Sequence, residues 1–208
     1  MALSRSEQRF NDLLQFFQSE EANALTPISH PDQQVNRLAA EDRERFRSAA
    51  VLVPVTRINA DAESHIVLTV RSANLSSHAG QISLPGGTTE EQDADEEATA
   101  LRESHEEIGL HPQHVEVIGR IGEMAMPSGY RVTPVVGIIE NDLEFVPSPV
   151  EVADIFHAPL DLVLDPDAYQ HAYVDYKNEK RSVLELHYED YRIWGATAAI
   201  LHHLARMV

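Results

Sequence analysis

Residues 84–110, LPGGTTEEQDADEEATALRESHEEIGL, carry the densest chemistry in the chain, and their reading decides how the rest folds around them. The spacing predicts a helix from about Asp95 to Ile108, and Gly109 stands where a left-handed cap ends one. Ala98, Leu101 and Ile108 offer that helix an apolar stripe to lay against a sheet. Glu103, Glu106 and Glu107 lie three and four residues apart, so their carboxylates leave one helix face. They crowd the last turns, where the peptide dipoles already concentrate negative charge. Like charges so spaced each cost some tenths of a kcal/mol, and the dipole adds a similar penalty. A hard divalent cation, Mg²⁺ or Mn²⁺, removes both penalties, because it takes carboxylate oxygens and bridges to phosphates. The competing reading is a solvated acidic helix face. Two neighbours favour the cation. Pro85-Gly86-Gly87 lets backbone approach a ligand closely, and a bare carbonyl there can serve as a further metal oxygen. Arg102, directly before Glu103, can hydrogen-bond carboxylates in a fixed fork.

Upstream, Phe10, Leu13, Leu14 and Phe17 at helical spacing predict an amphipathic helix over 5–19. Glu20 to Asn36, with Pro27 and Pro31, reads as an irregular connection. Ala49–Val55 and His65–Val70 are apolar, β-branched runs divided by a polar stretch, the pattern of paired strands. Gln81–Leu84 reads as a short strand stopped by Pro85-Gly86-Gly87. Downstream, strands are expected at His114–Glu123, Arg131–Ile139, Glu151–Phe156, Ala168–Val174 and Arg181–His187. A last helix is expected from about Trp194 to Met207, with Trp194 in the core. Strand groups divided by one helix and closed by another predict an α+β class, an α/β/α sandwich around a mixed sheet.

With 208 residues, Asp+Glu 34 against Lys+Arg 16, and no cysteine, the chain carries a formal charge of −18. That balance opposes nucleic-acid binding and docking on anionic membranes, both of which want clustered cations. A small anionic substrate is still allowed, provided a metal or a local arginine reverses the field where it sits. Lack of cysteine excludes disulfides and thiolate chemistry. No apolar run of about 18 residues spans a membrane. The polar start has no secretory signal and the end no peroxisomal one, so a cytoplasmic location is expected.

Gly87, Arg102-Glu103, Glu106-Glu107 and Gly109-Leu110 together resemble the signature box of the Nudix hydrolases. The box usually has a glutamate between its glycine and arginine. Here the spacer is one residue longer, with Ala94 at that glutamate's distance from Arg102 and Asp93 as nearest substitute. Ser104 stands where the box is usually apolar. The flanks resemble the coenzyme A pyrophosphatase branch: Leu68 to Ser72, His78-Ala79-Gly80-Gln81, Leu84 to Gly87, Pro127 to Gly137, Glu151-Val152-Ala153 with Pro159-Leu160, and Ile193 to Ala198. Similarity extends over about residues 48–207. It divides the chain into an N-terminal helical extension and connection, 1–47, and a Nudix hydrolase domain, 48–208. Ser76 and Leu84 depart from that branch, which has an arginine and a phenylalanine there.

The resemblance implies metal-dependent hydrolysis of the pyrophosphate in a nucleoside diphosphate-linked substrate. For coenzyme A the products are adenosine 3′,5′-bisphosphate and 4′-phosphopantetheine. Glu103, Glu106, Glu107 and the Gly86 carbonyl would hold Mg²⁺ or Mn²⁺, and Arg102 would orient Glu103. Glu103 and Glu151 are alternatives for the base that activates water, and Glu123 is either a further carboxylate or a solvated strand end. Arg71 is the candidate phosphate contact, with a structural ion pair as its alternative. His78, Gly87, Ser128 and Tyr130 are candidates for the substrate site, though a structural histidine and a plain turn with a packed tyrosine account for three of them as well. Rival readings are an ADP-sugar, dinucleotide or nucleoside triphosphate as substrate, and a silent nucleotide-binding module. The extra N-terminal helix would cover the domain or join two chains in a homodimer.

Overall fold

The structure is a computed structural model that describes residues 3–30, 33–75, 78–176 and 179–208. Its centre is a mixed sheet in which β1 (Arg47–Thr56) runs parallel to β7 (Tyr130–Ile139) over ten register pairs, from Arg47↔Tyr130 to Thr56↔Ile139. β2 (His65–Arg71) pairs antiparallel with β1 and β5 (Glu116–Arg120) with β7, while β3 (Ile82–Ser83) extends the β2 edge. Three further strands branch from this path. β4 (Gly86–Thr88) pairs with β1, β6 (Met124–Ala125) with β7, and β8 (Val152–Pro159) with β2.

Helices cover both faces, which is why β1 and β7 read as nearly unbroken apolar runs. One face carries Ala50, Leu52, Val67 and Val135, against which α3 (Glu96–Ile108) seats Ala100 and Ile108. The other carries Val53, Val55, Ile66, Leu68, Val136 and Ile138. Onto it pack α1 (Arg5–Gln18), the short α4 (Leu160–Val163) and α5 (Ala196–Met207). Alternation of neighbours such as Leu52 and Val53 between the faces follows from the two-residue period of a strand. A second sheet, β9 (Gln170–Tyr176), β10 (Glu179–Tyr188) and β11 (Tyr191–Trp194), leads into α5. The expected α/β/α sandwich is therefore what the chain forms.

Local rules set the helix ends. Ser4 and Glu7 form a reciprocal capping box at α1, which then buries Phe10 and Leu13. The Asp95 carboxylate accepts from the Ala98 N–H at 2.8 Å to open α3, and Gly109 closes it at φ 70°. Four expectations need correction. The connection after α1 is not irregular throughout, because α2 (Gln33–Glu41) begins within it and buries Val35. Pro85-Gly86-Gly87 does not simply stop a strand. Gly86–Thr88 pairs with β1 through Val51↔Gly86, Ala50↔Gly87 and Ala49↔Thr88. Trp194 ends β11 rather than opening the last helix, and it is half-buried under Arg192 while Ile193 fills the core. The buried side of α3 is Thr99, Ala100, Ser104, Glu107 and Ile108, so of the expected stripe Ile108 is fully buried while Ala98 and Leu101 are half-buried.

Candidate active site

The site forms where β4 passes the inner face of α3. A side chain at Gly86, whose φ is 156°, would drive its Cβ to 2.3 Å from the Ala50 carbonyl oxygen. At Gly87 a Cβ would stand 2.5 Å from the Glu103 carboxylate. Both glycines are thus required by close approach, one to the central strand and the other to an acidic side chain. The Gly86 N–H donates to Glu107 Oε2 at 3.1 Å.

Glu107 is the unusual member. It is 4 % exposed, on the buried side of α3. Among the described residues its one ion-pair partner is Arg71, with Nη1 at 3.8 Å, too long for a hydrogen bond. Burial pushes its carboxyl up to about 7; the Gly86 N–H and Arg71 pull the other way, and Glu151 and Glu103 add repulsion. Burial also raises Glu103, against the restraint of Arg102, with Glu106 and Glu151 repelling it. Glu151 therefore acts on both inner carboxylates. Its backbone carbonyl accepts from the Ser72 N–H at 2.8 Å, which ties it to the residue after Arg71. Among the described residues the Arg71 Nε is buried without a hydrogen-bond partner. Arg71, Gly86, Gly87, Glu103, Glu107 and Glu151 are thus brought together.

Arg102 organises the outer half. Its Nε and Nη2 hold the two Asp93 oxygens, both at 2.9 Å, and Nη2 also donates to the Thr88 carbonyl at 3.0 Å. Its Nη1 reaches Glu103 at 3.0 Å and Glu106 at 3.2 Å. The fork holds the Asp93 carboxyl down at about 2. Asp93, the nearest residue to the missing box glutamate, is thus held by Arg102 despite the longer spacer. Its link to Arg102 was not legible in the sequence beyond its position nine residues earlier. Ser104, fully buried where the box is usually apolar, donates to the Ala100 carbonyl at 2.7 Å and so leaves no unpaired hydroxyl.

The other candidates lie farther out. Glu106 is the most exposed of the three glutamates, its side chain 56 % open. His78 is exposed at φ 58° and shares a hydrogen bond of 2.9 Å with Gln81, in the loop whose Gly80 N–H donates to the Arg71 carbonyl. Ser76 lies outside the described residues. Ser128 sits on the turn before β7, and the Tyr130 ring lies under the Arg47 guanidinium at 4.6 Å. Both are at the start of β1, three register positions from Gly87 and hence roughly 10 Å along the strand. Glu123 is claimed by Arg43 at 2.7 Å and by Arg131 at 3.1 Å, so it belongs to an ion-pair cluster rather than to the inner carboxylates.

Among the described residues no three acidic or imidazole groups converge as a finished metal cage. The donor chemistry nevertheless fits a hard cation. Glu103, Glu106, Glu107 and Glu151 supply only oxygen, and a carboxylate as buried as Glu107, with so little positive charge beside it, gains most from a multivalent ion.

A NUDIX domain family model matches residues 46–178. The chain belongs to the Nudix family. A Nudix hydrolase named NudL from Photorhabdus laumondii is 40% identical over 162 residues, covering 78% of this chain and 85% of that protein. NudL from Pectobacterium atrosepticum is 36% identical over 198 residues, covering 95% and 94%; both carry the description "uncharacterized". Among solved structures, the M. smegmatis Nudix hydrolase RenU aligns with a TM-score of 0.46 at 25% identity, over 55% of this chain and 71% of that one. As a Nudix hydrolase the chain is an enzyme that cleaves pyrophosphate bonds, from a family that acts on small nucleotides with divalent metal ions. Among the described residues no helix is long and apolar enough to cross a membrane.

Proposed function

We propose that this Nudix enzyme hydrolyses coenzyme A or its derivatives, releasing adenosine 3′,5′-bisphosphate and an (acyl-)phosphopantetheine. The observation that carries the chemistry is the buried Glu107 carboxylate, set between the Gly86 N–H and a loosely held Arg71, beside Glu103 and Glu151. The coenzyme A assignment rests on the segments around the box, above all Leu68–Ser72 with His78–Gln81 and Pro127–Gly137.

Glu103, Glu106 and Glu107, with the Gly86 carbonyl, would hold Mg²⁺ or Mn²⁺. Bound there, a divalent ion neutralises pyrophosphate oxygens and lowers the pKa of water. The protein's own groups divide the remaining work. Arg71, whose Nε has no hydrogen-bond partner among the described residues, contacts a phosphate oxygen. Arg102, fixed by Asp93, keeps Glu103 in place against Gly87. Glu151 takes the proton from the attacking water, because it stands outside the ligand set yet acts on both Glu103 and Glu107. A general base must be reachable by water, and Glu151 is exposed whereas Glu107 is buried. His78, Ser128 and Tyr130 lie toward the substrate's outer parts. Cytoplasmic location and homodimerisation belong to the same reading.

The deciding experiment is a substrate panel of coenzyme A, acyl-coenzyme A, ADP-ribose, NADH and dinucleoside polyphosphates, ranked by kcat/KM with Mg²⁺ and with Mn²⁺. Coenzyme A or an acyl derivative is expected to lead. If an ADP-sugar, dinucleotide or nucleoside triphosphate leads instead, the substrate assignment is wrong, and the serine at position 76 is where the branch's arginine contact was lost.

A further inference from the structure

A cavity of about 380 Å³ lies between α2, the end of the turn before β1, and the Met126–Gly129 turn before β7. That volume falls within the roughly 300–1,000 Å³ of small-molecule sites. Val35, Leu38, Phe46 and Met126 give it an apolar wall, and Ser128 stands at its rim. Arg45 is the one charged residue among the described lining, in a chain that carries −18 overall. Arg45 is exposed and makes no ion pair among the described residues, whereas its neighbours Arg43 and Arg131 are committed to Glu123 and Arg47 to the Tyr130 ring. The lining thus carries one positive charge and no negative one, in a chain whose net charge is negative. It also lies about 10 Å along β1 from Gly87, since Arg47 pairs with Tyr130 and Ala50 with Gly87. That span is of the order that separates a pyrophosphate from the far end of its nucleoside.

We propose that this cavity receives the nucleoside end of the substrate, with the base against Leu38, Phe46 and Met126 and a phosphate monoester of the ribose on Arg45. The inference rests on the proposed function for its substrate, but the pocket itself is testable without turnover. An apolar wall takes the face of a base, while a guanidinium free of carboxylates binds a phosphate through paired N–H donors. Arg45 would thereby supply a phosphate contact from the N-terminal side of the domain, where α2 closes the wall.

The test is equilibrium binding to the metal-free full chain, with adenosine 3′,5′-bisphosphate and adenosine 5′-monophosphate as the two probes. The bisphosphate is expected to bind about tenfold more tightly, a difference that a charge-assisted phosphate contact supplies. R45E should erase that preference, and L38W, which fills the cavity, should weaken both probes. Arg45 is exposed, so R45E leaves folding intact, and its melting curve serves as the check. In turnover, R45E should raise KM for coenzyme A about tenfold at unchanged kcat, and leave KM for dephospho-coenzyme A alone. Equal affinities in wild type and R45E, or no binding of the bisphosphate at millimolar concentration, overturn the inference. A wild-type chain that cleaves nothing in the panel, yet shows an Arg45-dependent preference, keeps the pocket and removes the proposed function.

Discussion

Glu107 and Glu123 each sit beside arginine, yet the two regions handle negative charge in opposite ways. Around Glu123, two guanidiniums stand at 2.7 and 3.1 Å from one carboxylate, so the protein supplies more positive charge than it needs there. Around Glu107, a single guanidinium stands at 3.8 Å, while Glu103 and Glu151 add to the negative field. A self-compensated cluster is structural. An under-compensated one, buried at a glycine turn, keeps a place for positive charge from outside, and that contrast separates the proposed catalytic half of this molecule from its acidic surface.

The sharpest way to break the comparison is Glu107→Gln. Turnover should fall by three or more orders of magnitude, the scale on which removal of a central catalytic group is felt. Stability should move the other way. The folded carboxyl is pushed up to about 7 from its ordinary 4.5, so the folded state holds an extra proton between those pH values. Stability contributed by this group therefore declines as pH rises from about 4.5 to 7, by on the order of 3 kcal/mol. Glutamine carries no charge, so the variant without metal should be more stable than wild type at pH 8 and equal to it near pH 4.5. Mg²⁺ should close the gap at pH 8 by stabilising wild type alone, because the ion competes with the proton for the same oxygens. Urea melts of both proteins across this range check the sign. A variant less stable than wild type at pH 8 would mean that Arg71 and Gly86 already satisfy Glu107.

Asp93→Ala tests the outer half, where compensation is complete. Asp93 is buried and takes both Nε and Nη2 of Arg102. Its loss frees one end of the fork that holds Glu103, and supporting contacts of this kind typically carry 10–100-fold in activity. Stability should fall by about 2 kcal/mol, because Arg102 keeps Glu103, Glu106 and the Thr88 carbonyl. The sign with pH is the reverse of that for Glu107. The Asp93 carboxyl is lowered to about 2, so its contribution is fully present above the usual 3.8 and lost as pH falls through 2. Acid melts of wild type should show this loss, and the variant should not.

The same contrast explains what was legible beforehand. The three-and-four spacing of Glu103, Glu106 and Glu107 and the cap at Gly109 survive in any environment, so helix and acidic face could be read directly. Which face is buried could not. A pattern reading seeks apolar residues and finds Ala98, Leu101 and Ile108; Ile108 is buried, but the helix turns Ser104 and Glu107 inward ahead of Ala98 and Leu101. That rotation becomes affordable only because Ala100 accepts the serine hydroxyl and Gly86 donates to the glutamate, contacts made across the fold or along the turn. Strands β1, β2 and β7 were visible because burial on both faces leaves continuous apolar runs. The Gly86–Thr88 strand was not, since its pairing with Ala49–Val51 depends on glycines that local propensity counts as breakers. Helix α2 was hidden by Pro27 and Pro31 before it, and only Val35 among its residues is buried.

Glu123→Gln should have the smallest effect. Its side chain is a quarter exposed, and its partner Arg43 is 64 % exposed, so the Arg43 contact is screened by water and salt. Exposed pairs typically contribute about 0–1 kcal/mol, and the glutamine oxygen can still accept the hydrogen bond that Arg43 donates. Activity should stay within about twofold of wild type on that scale of energy. Calorimetric Mg²⁺ titration should give the wild-type affinity, because no inner carboxylate is touched. A marked loss of Mg²⁺ binding in this variant would erase the distinction between the two regions, since it would make Glu123 a ligand despite its two arginines. An effect on nucleotide affinity alone would point instead to Arg43 and Arg131, which Glu123 holds beside the cavity that contains Arg45.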